Sequence, residues 1–196
     1  MSPKKFHTKV LDVRAEEVSR SIQLAGGRLV HRRRMCTEWF FIPSDKALGQ
    51  DDGSREMRQW VSLTSGASEE CVLSVTAVET WKVGGQSEVK VAVSSGDDVL
   101  RILAHLGHEP RTRLDWFGTV YQLGRALLSV DEMPGGHTWL SVEGPEAGSV
   151  FETVSVLGFG AEQHSPLSVM EAYRHYGVDM LALDEVTFSC PPEEHA

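Results

Sequence analysis

The sequence has few cysteines, no long apolar run and no excess of positive charge. Its three cysteines, Cys36, Cys71 and Cys190, are scattered and form no CxxC pair. This count indicates neither a disulfide framework nor a zinc site, so we expect a reducing cytoplasm as the compartment. No apolar run approaches the roughly 20 residues of a membrane-spanning helix. The segment MSPKKFH is not followed by the apolar stretch of a secretory signal, and we expect none.

The charge balance disfavours a nucleic-acid-binding protein. The chain has 19 basic and 28 acidic residues, which give a formal net charge of −9. A general nucleic-acid binder needs a basic surface that neutralises phosphates. The one dense basic run, residues 31–34, is too short to reverse this balance and is typical of a solvated strand end. We therefore expect no nucleic-acid and no membrane partner.

An internal repeat organises the chain. Residues 8–26 align without a gap with residues 89–107, so that Lys9 matches Lys90. Each copy begins with an alternating strand pattern and continues with acidic residues that suit a helix N-terminus. Apolar residues at helical spacing follow, and a glycine ends each copy. The strand–helix–strand unit thus occurs twice, which predicts two halves related by a pseudo-twofold axis.

Further strands and two more helices follow the repeats. We predict the additional strands at about 28–42, 57–65, 70–79, 110–124, 125–132 and 138–143. Helical spacing predicts two C-terminal helices at 146–158 and 166–176. The pattern is α+β, and antiparallel strands dominate it.

This pattern predicts a single domain over residues 1–180. Its two pseudo-repeats occupy about 5–80 and 86–145, and residues 181–196 form a tail. Hydrophobic residues make up 41% of the chain, which is enough for a buried core.

The first strand has an unusual polar face. Because strand side chains alternate, Lys5, His7 and Lys9 lie on one side, opposite a mainly apolar side. Histidine is the side chain whose ordinary pKa lies near neutral, which suits proton transfer. The alternative is that His7 is a surface histidine or one whose hydrogen bonds are satisfied in the core.

The order of these elements resembles the CYTH superfamily, also called triphosphate tunnel metalloenzymes. The resemblance is greatest to class IV adenylate cyclases and thiamine-triphosphatase-like proteins, and it covers about residues 5–176. The matching stretches are KVLDVRAEEVSRSIQLAGGRLV (9–30), TEWFFIP (37–43), LAHLGHEP (103–110) and LSVDEMPGGHTWLSVEG (128–144). The resemblance implies an eight-stranded antiparallel β-barrel or tunnel with flanking helices. In the family, inward carboxylates bind Mg²⁺ or Mn²⁺ and inward Arg and Lys residues bind a triphosphate.

Most of the family's functional positions carry other residues here. Its Glu-x-Glu-x-Lys strand falls on Lys5, His7 and Lys9, so that only the lysine is kept. Its final Glu-x-Glu falls on Ser141 and Glu143. Asp131 matches the family's aspartate, and Tyr121 matches its tyrosine. The positions of five expected cations fall on Ser62, Thr64, Thr76, Trp116 and Gly118.

These losses predict a tunnel of mixed charge that has lost the metal–triphosphate site. We expect no cofactor beyond weak Mg²⁺ or Mn²⁺ binding. The leading hypothesis is a divergent tunnel enzyme that acts on a small organic metabolite by acid/base chemistry, as a metal-independent lyase, cyclase or isomerase. The predicted catalytic residues are His7, Lys9, Asp131 and Glu143. The predicted ligand-binding residues are Lys5, Glu88, Lys90, Arg113, Trp116, Tyr121, Trp139 and Ser141.

Two alternatives stay open from the sequence. A non-catalytic member would bind a ligand or a protein partner without turnover. A third interpretation keeps the adenylate cyclase or triphosphatase chemistry, with a relocated metal site at Glu88, Asp131 and Glu143. The sequence does not name the ligand, and it leaves a homodimer open.

Overall fold

The computed structural model describes residues 4–42, 59–66, 71–80 and 82–189. Within these ranges one sheet contains β1 (Lys4–Val10), β2 (Arg28–Phe41), β3 (Gln59–Ser65), β4 (Cys71–Val78), β5 (Gln86–Val93), β6 (Thr112–Leu123), β7 (Ala126–Glu132), β8 (Thr138–Gly144) and β9 (Glu185–Val186). The helices are α1 (Ala15–Leu24), α2 (Gly96–His105), α3 (Ala147–Val156) and α4 (Val169–His175). None of these described helices has the length and apolarity needed to cross a bilayer.

The strand order encloses a tunnel. Neighbouring strands pair in the order β2-β3-β4-β5-β1-β8-β7-β6, and β6 also pairs with β2. All these pairings are antiparallel, whereas the short β9 adds to β6 in parallel. The predicted α+β fold with an eight-stranded antiparallel tunnel is confirmed, with β9 as an addition. Three parts of the prediction lie outside the described residues: the first residues of the strands predicted from 57 and from 70, and the end of the predicted tail, 190–196.

The two halves are related as the repeat predicts. The strands β1 to β4 correspond to β5 to β8, and exchanging the halves maps the strand order onto itself. Each repeat helix ends where Gly26 and Gly107 adopt positive φ angles of 88° and 81°. Glycine adopts this conformation without the steric cost that other residues meet.

The outer face of β1, β7 and β8 is covered by α1 and α3. Val10 of β1 and Ile22 of α1 are buried there together with Leu128, Leu140 and Val150. Because side chains alternate along β1, burying Val10 on this outer face turns Lys9 toward the interior. The helix layer thus determines which face of β1 lines the tunnel.

The second core lies around α4 and corrects the predicted tail. Leu181 and Val186 are buried with Trp139 and Tyr173, and Val186 pairs with Leu114 of β6. Residues 181–189 therefore belong to the folded unit. Their few apolar residues follow neither a strand nor a helix period over a useful length, which is why the sequence indicated a tail.

Helix α2 differs from its counterpart α1. The sequence predicts both as amphipathic, yet α2 buries no residue, and its Ile102 and Leu106 are exposed. A third helix, α3, also covers the half of the sheet on which α1 packs. The two halves thus share strand topology, but helices cover the outer face of one half more extensively than that of the other.

Replacing Leu140 by alanine should destabilise the fold by about 2–5 kcal/mol, because the side chain is fully buried between the sheet and the helices. The matched control is Leu24→Ala, at a leucine that is 83% exposed, and it should change stability by less than about 0.5 kcal/mol. Urea unfolding measures both variants. Equal effects would contradict the assignment of this outer core.

Candidate functional site

Two adjoining cavities occupy the tunnel. The larger, of about 310 Å³, lies among β1, β2, β6, β7 and β8. The smaller, of about 150 Å³, lies toward β3, β4 and β5. Lys9, Glu38 and Val169 line both cavities, so a molecule in one is close to the other.

The larger cavity combines two indoles with several charged groups. The predicted site residues that line it are Lys9, Trp116, Asp131, Trp139, Ser141 and Glu143. His7 and Glu88 line the smaller cavity. His7 is the Cα partner of Glu143, and Lys9 is the Cα partner of Ser141, so β1 and β8 present these side chains on one face. The structure therefore places the predicted catalytic residues around two adjoining cavities that share Lys9.

Arg113 and Tyr121 lie elsewhere, contrary to their expected place in the tunnel. On β6 the cavity is lined by Leu114, Trp116 and Gly118, so odd-numbered neighbours face outward. Arg113 donates two hydrogen bonds to Asp115 (3.2 and 2.8 Å), and Tyr121 packs in the outer core. Lys90 forms an ion pair with Glu88 (3.0 Å) and is about half exposed. The side chain of Lys5 lies outside the described residues.

Asp131 is the most buried charged group of the larger cavity. Ser129 Oγ donates a hydrogen bond to Asp131 Oδ1, and Ser141 Oγ donates one to Oδ2 at 2.7 Å. Burial raises the pKa of Asp131 above its ordinary value, and these serines, Lys9 and Trp139 partly offset the rise. Burial disfavours the charged form of a carboxyl group, whereas donors and cations favour it.

Lys9 is held by a segment that the sequence did not predict as part of the site. Its Nζ donates a hydrogen bond to the carbonyl of Leu167 at 2.8 Å. The backbones of Lys9 and Ser165 exchange two hydrogen bonds (2.7 and 2.8 Å). This contact lies where β1 and β5 diverge, because those strands pair through just two residue pairs near Lys4. Residues 165–168 therefore support β1 beside the tunnel.

An irregularity in β2 turns part of the basic run inward. The pairing of β2 with β6 shifts register between Leu29 and His31 and again between His31 and Arg34. As a result both His31 and Arg34 line the larger cavity, although they are three positions apart and regular alternation would place them on opposite faces. The sequence indicated a solvated strand end, which agrees with the exposure of Arg32 and Arg34, whereas His31 is half-buried. A bulge shifts the alternation of side chains, and no signal in the sequence located it.

Two groups report the electrostatic field inside the tunnel. Burial lowers the pKa of Lys90, but Glu143 and Glu88 raise it by more, so that the net pKa lies above the ordinary value. Burial raises the pKa of the Cys36 thiol to about 11, Asp131 and Glu38 add to this rise, and Arg34 opposes it by less. A field that favours an ammonium ion and disfavours a thiolate is negative at both positions.

Gly118 opens the larger cavity beside Asp131. It lies between Arg34 and Asp131 across three neighbouring strands. A methyl group added at Gly118 would meet Asp131 Oδ1 and Ser129 Oγ at 3.5 Å and Trp116 Nε1 at 3.6 Å. Three polar atoms thus surround a gap where a side chain would otherwise lie.

The carboxylates of the tunnel do not form a metal site in the described structure. No group of three or more His, Cys, Asp or Glu residues converges as metal ligands among the described residues. Glu88 pairs with Lys90, while both oxygens of Asp131 accept hydrogen bonds from serines. Glu88 and Asp131 also line different cavities, so the relocated site at Glu88, Asp131 and Glu143 does not fit a divalent cation.

Comparisons with known proteins define the fold. No protein-family model and no curated protein sequence matches this chain. A candidate adenylate cyclase from Vibrio parahaemolyticus superposes with a TM-score of 0.71 at 10% identity, over 89% of this chain and 99% of that one. A candidate adenylyl cyclase from Hippeastrum, described as having a dominant triphosphatase activity, superposes with a TM-score of 0.60 at 14% identity, over 87% and 95%.

A third similar structure belongs to a large assembly. A chain of the Schizosaccharomyces pombe Mediator head module superposes with a TM-score of 0.54 at 10% identity, over 79% of this chain and 94% of that one. At these identities the likeness concerns the fold alone. The chain has the CYTH-like tunnel fold that the sequence resemblance implies.

The negative field predicts the reactivity of Cys36. In a background with Cys71→Ser and Cys190→Ser, alkylation of Cys36 by iodoacetamide should be slow at pH 8 and should accelerate as the pH approaches 11. Asp131→Asn and Glu38→Gln each remove a negative charge that raises this pKa. Both should therefore increase the thiolate fraction and the alkylation rate at pH 8.

The control for this measurement is Glu132→Gln. Glu132 neighbours Asp131 on β7, but it forms an ion pair with Arg33 (2.7 Å) and does not line either cavity. It should leave the alkylation rate unchanged. If neither Asp131→Asn nor Glu38→Gln changes the alkylation rate of Cys36, these two carboxylates do not raise the pKa of its thiol.

Proposed function

We propose that this chain is a divergent tunnel enzyme that acts on a small organic molecule by acid/base chemistry, without a metal–triphosphate site. The observation that supports it best is the lining of the larger cavity, which combines the buried Asp131 with two tryptophans. Organic ligands typically bind in concave, largely apolar sites with a few convergent polar groups. The volume of about 310 Å³ lies within the usual range for such sites.

The charge of the lining argues against a triphosphate. Trp116 and Gly118, at positions where the family carries cations, line the larger cavity, and Ser62 and Thr76 line the smaller one. Besides two histidines, the described linings contain four acidic and two basic side chains. These are Glu38, Glu88, Asp131 and Glu143 against Lys9 and Arg34. A triphosphate placed there would meet a negative field with few counterions, which is unfavourable.

The proposed chemistry uses a proton donor and acceptors on opposite sides of the ligand. Asp131 has a raised pKa and is the candidate acid or base on β7. Lys9, fixed by Leu167, lies beside it as a cation that could stabilise developing negative charge. His7 and Glu143 form a neighbouring pair across β1 and β8. Cys36 is not proposed as a nucleophile, because a thiol with a pKa of about 11 is protonated near neutral pH.

The second candidate function is binding without turnover. The similar chain in the Mediator head module is part of an assembly, which supports use of this fold as a binding module. The choice between the two functions depends on whether the buried groups change a ligand chemically. A cytoplasmic location is part of either proposal, and the three scattered cysteines of the sequence support it.

The first test asks whether triphosphates bind. Thermal unfolding is measured with Mg²⁺ or Mn²⁺ and ATP, thiamine triphosphate or inorganic triphosphate. A ligand at about 100 times its dissociation constant adds about 2.7 kcal/mol, which raises Tm by several degrees. We expect no metal-dependent shift, because the lining lacks the cations that these ligands need. A clear shift would contradict the proposal and support the family chemistry.

The second test asks whether a ligand is transformed. The protein is incubated with a deproteinised small-molecule cell extract, and mass spectrometry follows the species that disappear and appear. We expect the wild-type protein to convert at least one species that Asp131→Asn and His7→Gln leave unchanged. The control is Glu132→Gln on the outer face, which should convert it like the wild type. Conversion by none of the four folded proteins would favour the non-catalytic function.

A further inference from the structure

We propose that the larger cavity recognises a primary amine, whose nitrogen contacts Asp131 in the gap above Gly118. This inference deepens the proposed function and rests on it, since it names the class of organic molecule that occupies the same cavity. A primary amine differs in charge from the triphosphate ligands that the sequence resemblance implies.

The gap beside Asp131 offers hydrogen-bond acceptors to a ligand. Ser129 uses its hydroxyl hydrogen on Asp131, so the Ser129 oxygen presents lone pairs, as the carboxylate does. Both atoms lie 3.5 Å from the point where a Cβ at Gly118 would be. An amine donates at least two hydrogen bonds and can satisfy both acceptors. Trp116 Nε1 bounds the gap on its third side, at 3.6 Å from the same point.

The surrounding charges favour a protonated amine over a neutral or anionic group. Glu38, Asp131 and Glu143 line this cavity together with two basic residues, Lys9 and Arg34. Asp131 and Glu38 raise the pKa of the Cys36 thiol by more than Arg34 lowers it. Glu143, Glu88 and Glu38 favour the ammonium form of Lys90. The field therefore acts on two groups of opposite type in the same direction. An ammonium group on a ligand would gain from this field, whereas a carboxylate or phosphate would not.

The body of the ligand would lie against the two indoles. Trp139 is almost fully buried and held edge-to-face by Tyr173 of α4, with ring centroids 6.0 Å apart. Tyr173 Oη in turn donates a hydrogen bond to the carbonyl of Pro134 at 2.9 Å. A rigidly held indole provides apolar contact area, and its face attracts cations.

The test uses compounds of matched size and different charge. Thermal unfolding and isothermal titration compare phenethylamine with phenethyl alcohol and 3-phenylpropionate, and benzylamine with benzyl alcohol and benzoate. We expect the amines to bind about tenfold to a hundredfold more tightly than the alcohols, as a hydrogen-bonded charged group allows, and the carboxylates to bind least.

Two variants locate the binding. Gly118→Ala should fold, because the added methyl meets its neighbours at ordinary contact distances, yet it fills the gap and should weaken amine binding at least about tenfold. Its control is Gly148→Ala in α3, where the methyl meets nothing within 4 Å. Asp131→Asn should also weaken amine binding, with Glu132→Gln as its control.

The outcomes separate this inference from the proposed function. Alcohols or carboxylates that bind as tightly as the amines would overturn the amine class but keep an organic ligand. If Gly118→Ala binds the amines as tightly as the wild type does, the proposed location is wrong. If the wild-type protein binds no amine, the proposed ligand class is wrong. A metal-dependent shift with triphosphates would overturn the proposed function as well.

Discussion

The burial of Asp131 is the constraint on which the site depends. A carboxylate removed from water is costly unless donors and cations compensate it. The register of β7 and β8 supplies two serine hydroxyls, and β1 supplies Lys9 nearby. Lys9 is in turn fixed by residues 165–168, which follow the third helix. The position of one carboxylate is therefore set by three strands and a distant connecting segment.

Strand alternation explains how much of this arrangement the sequence could predict. The repeat, the strands and the inward direction of His7 and Lys9 all follow from period-two patterns and from the acidic and glycine signals of the helices. The bulges of β2 and the strand β9 depend on contacts between distant residues. No local pattern marks them, so the sequence did not place His31 at the cavity or Val186 in the folded unit. Arg113 was expected in the tunnel, although strand alternation from the inward Trp116 and Gly118 places it on the opposite face.

The tunnel has the fold of its structural relatives, and the side chains of its own lining set its chemistry. The candidate adenylate cyclases superpose on 89% and 87% of this chain, which shows that the fold is shared. At two β6 positions where the sequence resemblance implies cations, one tryptophan adds an apolar wall and Gly118 leaves a gap. The same backbone can thus support a different ligand class, because inward side chains change without altering strand pairing.

The most direct measurement follows the indole N–H signals of Trp116 and Trp139 by ¹⁵N NMR, assigned with Trp116→Phe and Trp139→Phe. Phenethylamine and Mg²⁺–tripolyphosphate are titrated separately into the wild-type protein. The account predicts saturable shifts of both indole signals with the amine and none with tripolyphosphate, since the cavity between these rings has a negative field. Saturable shifts with tripolyphosphate, and none with the amine, would contradict it.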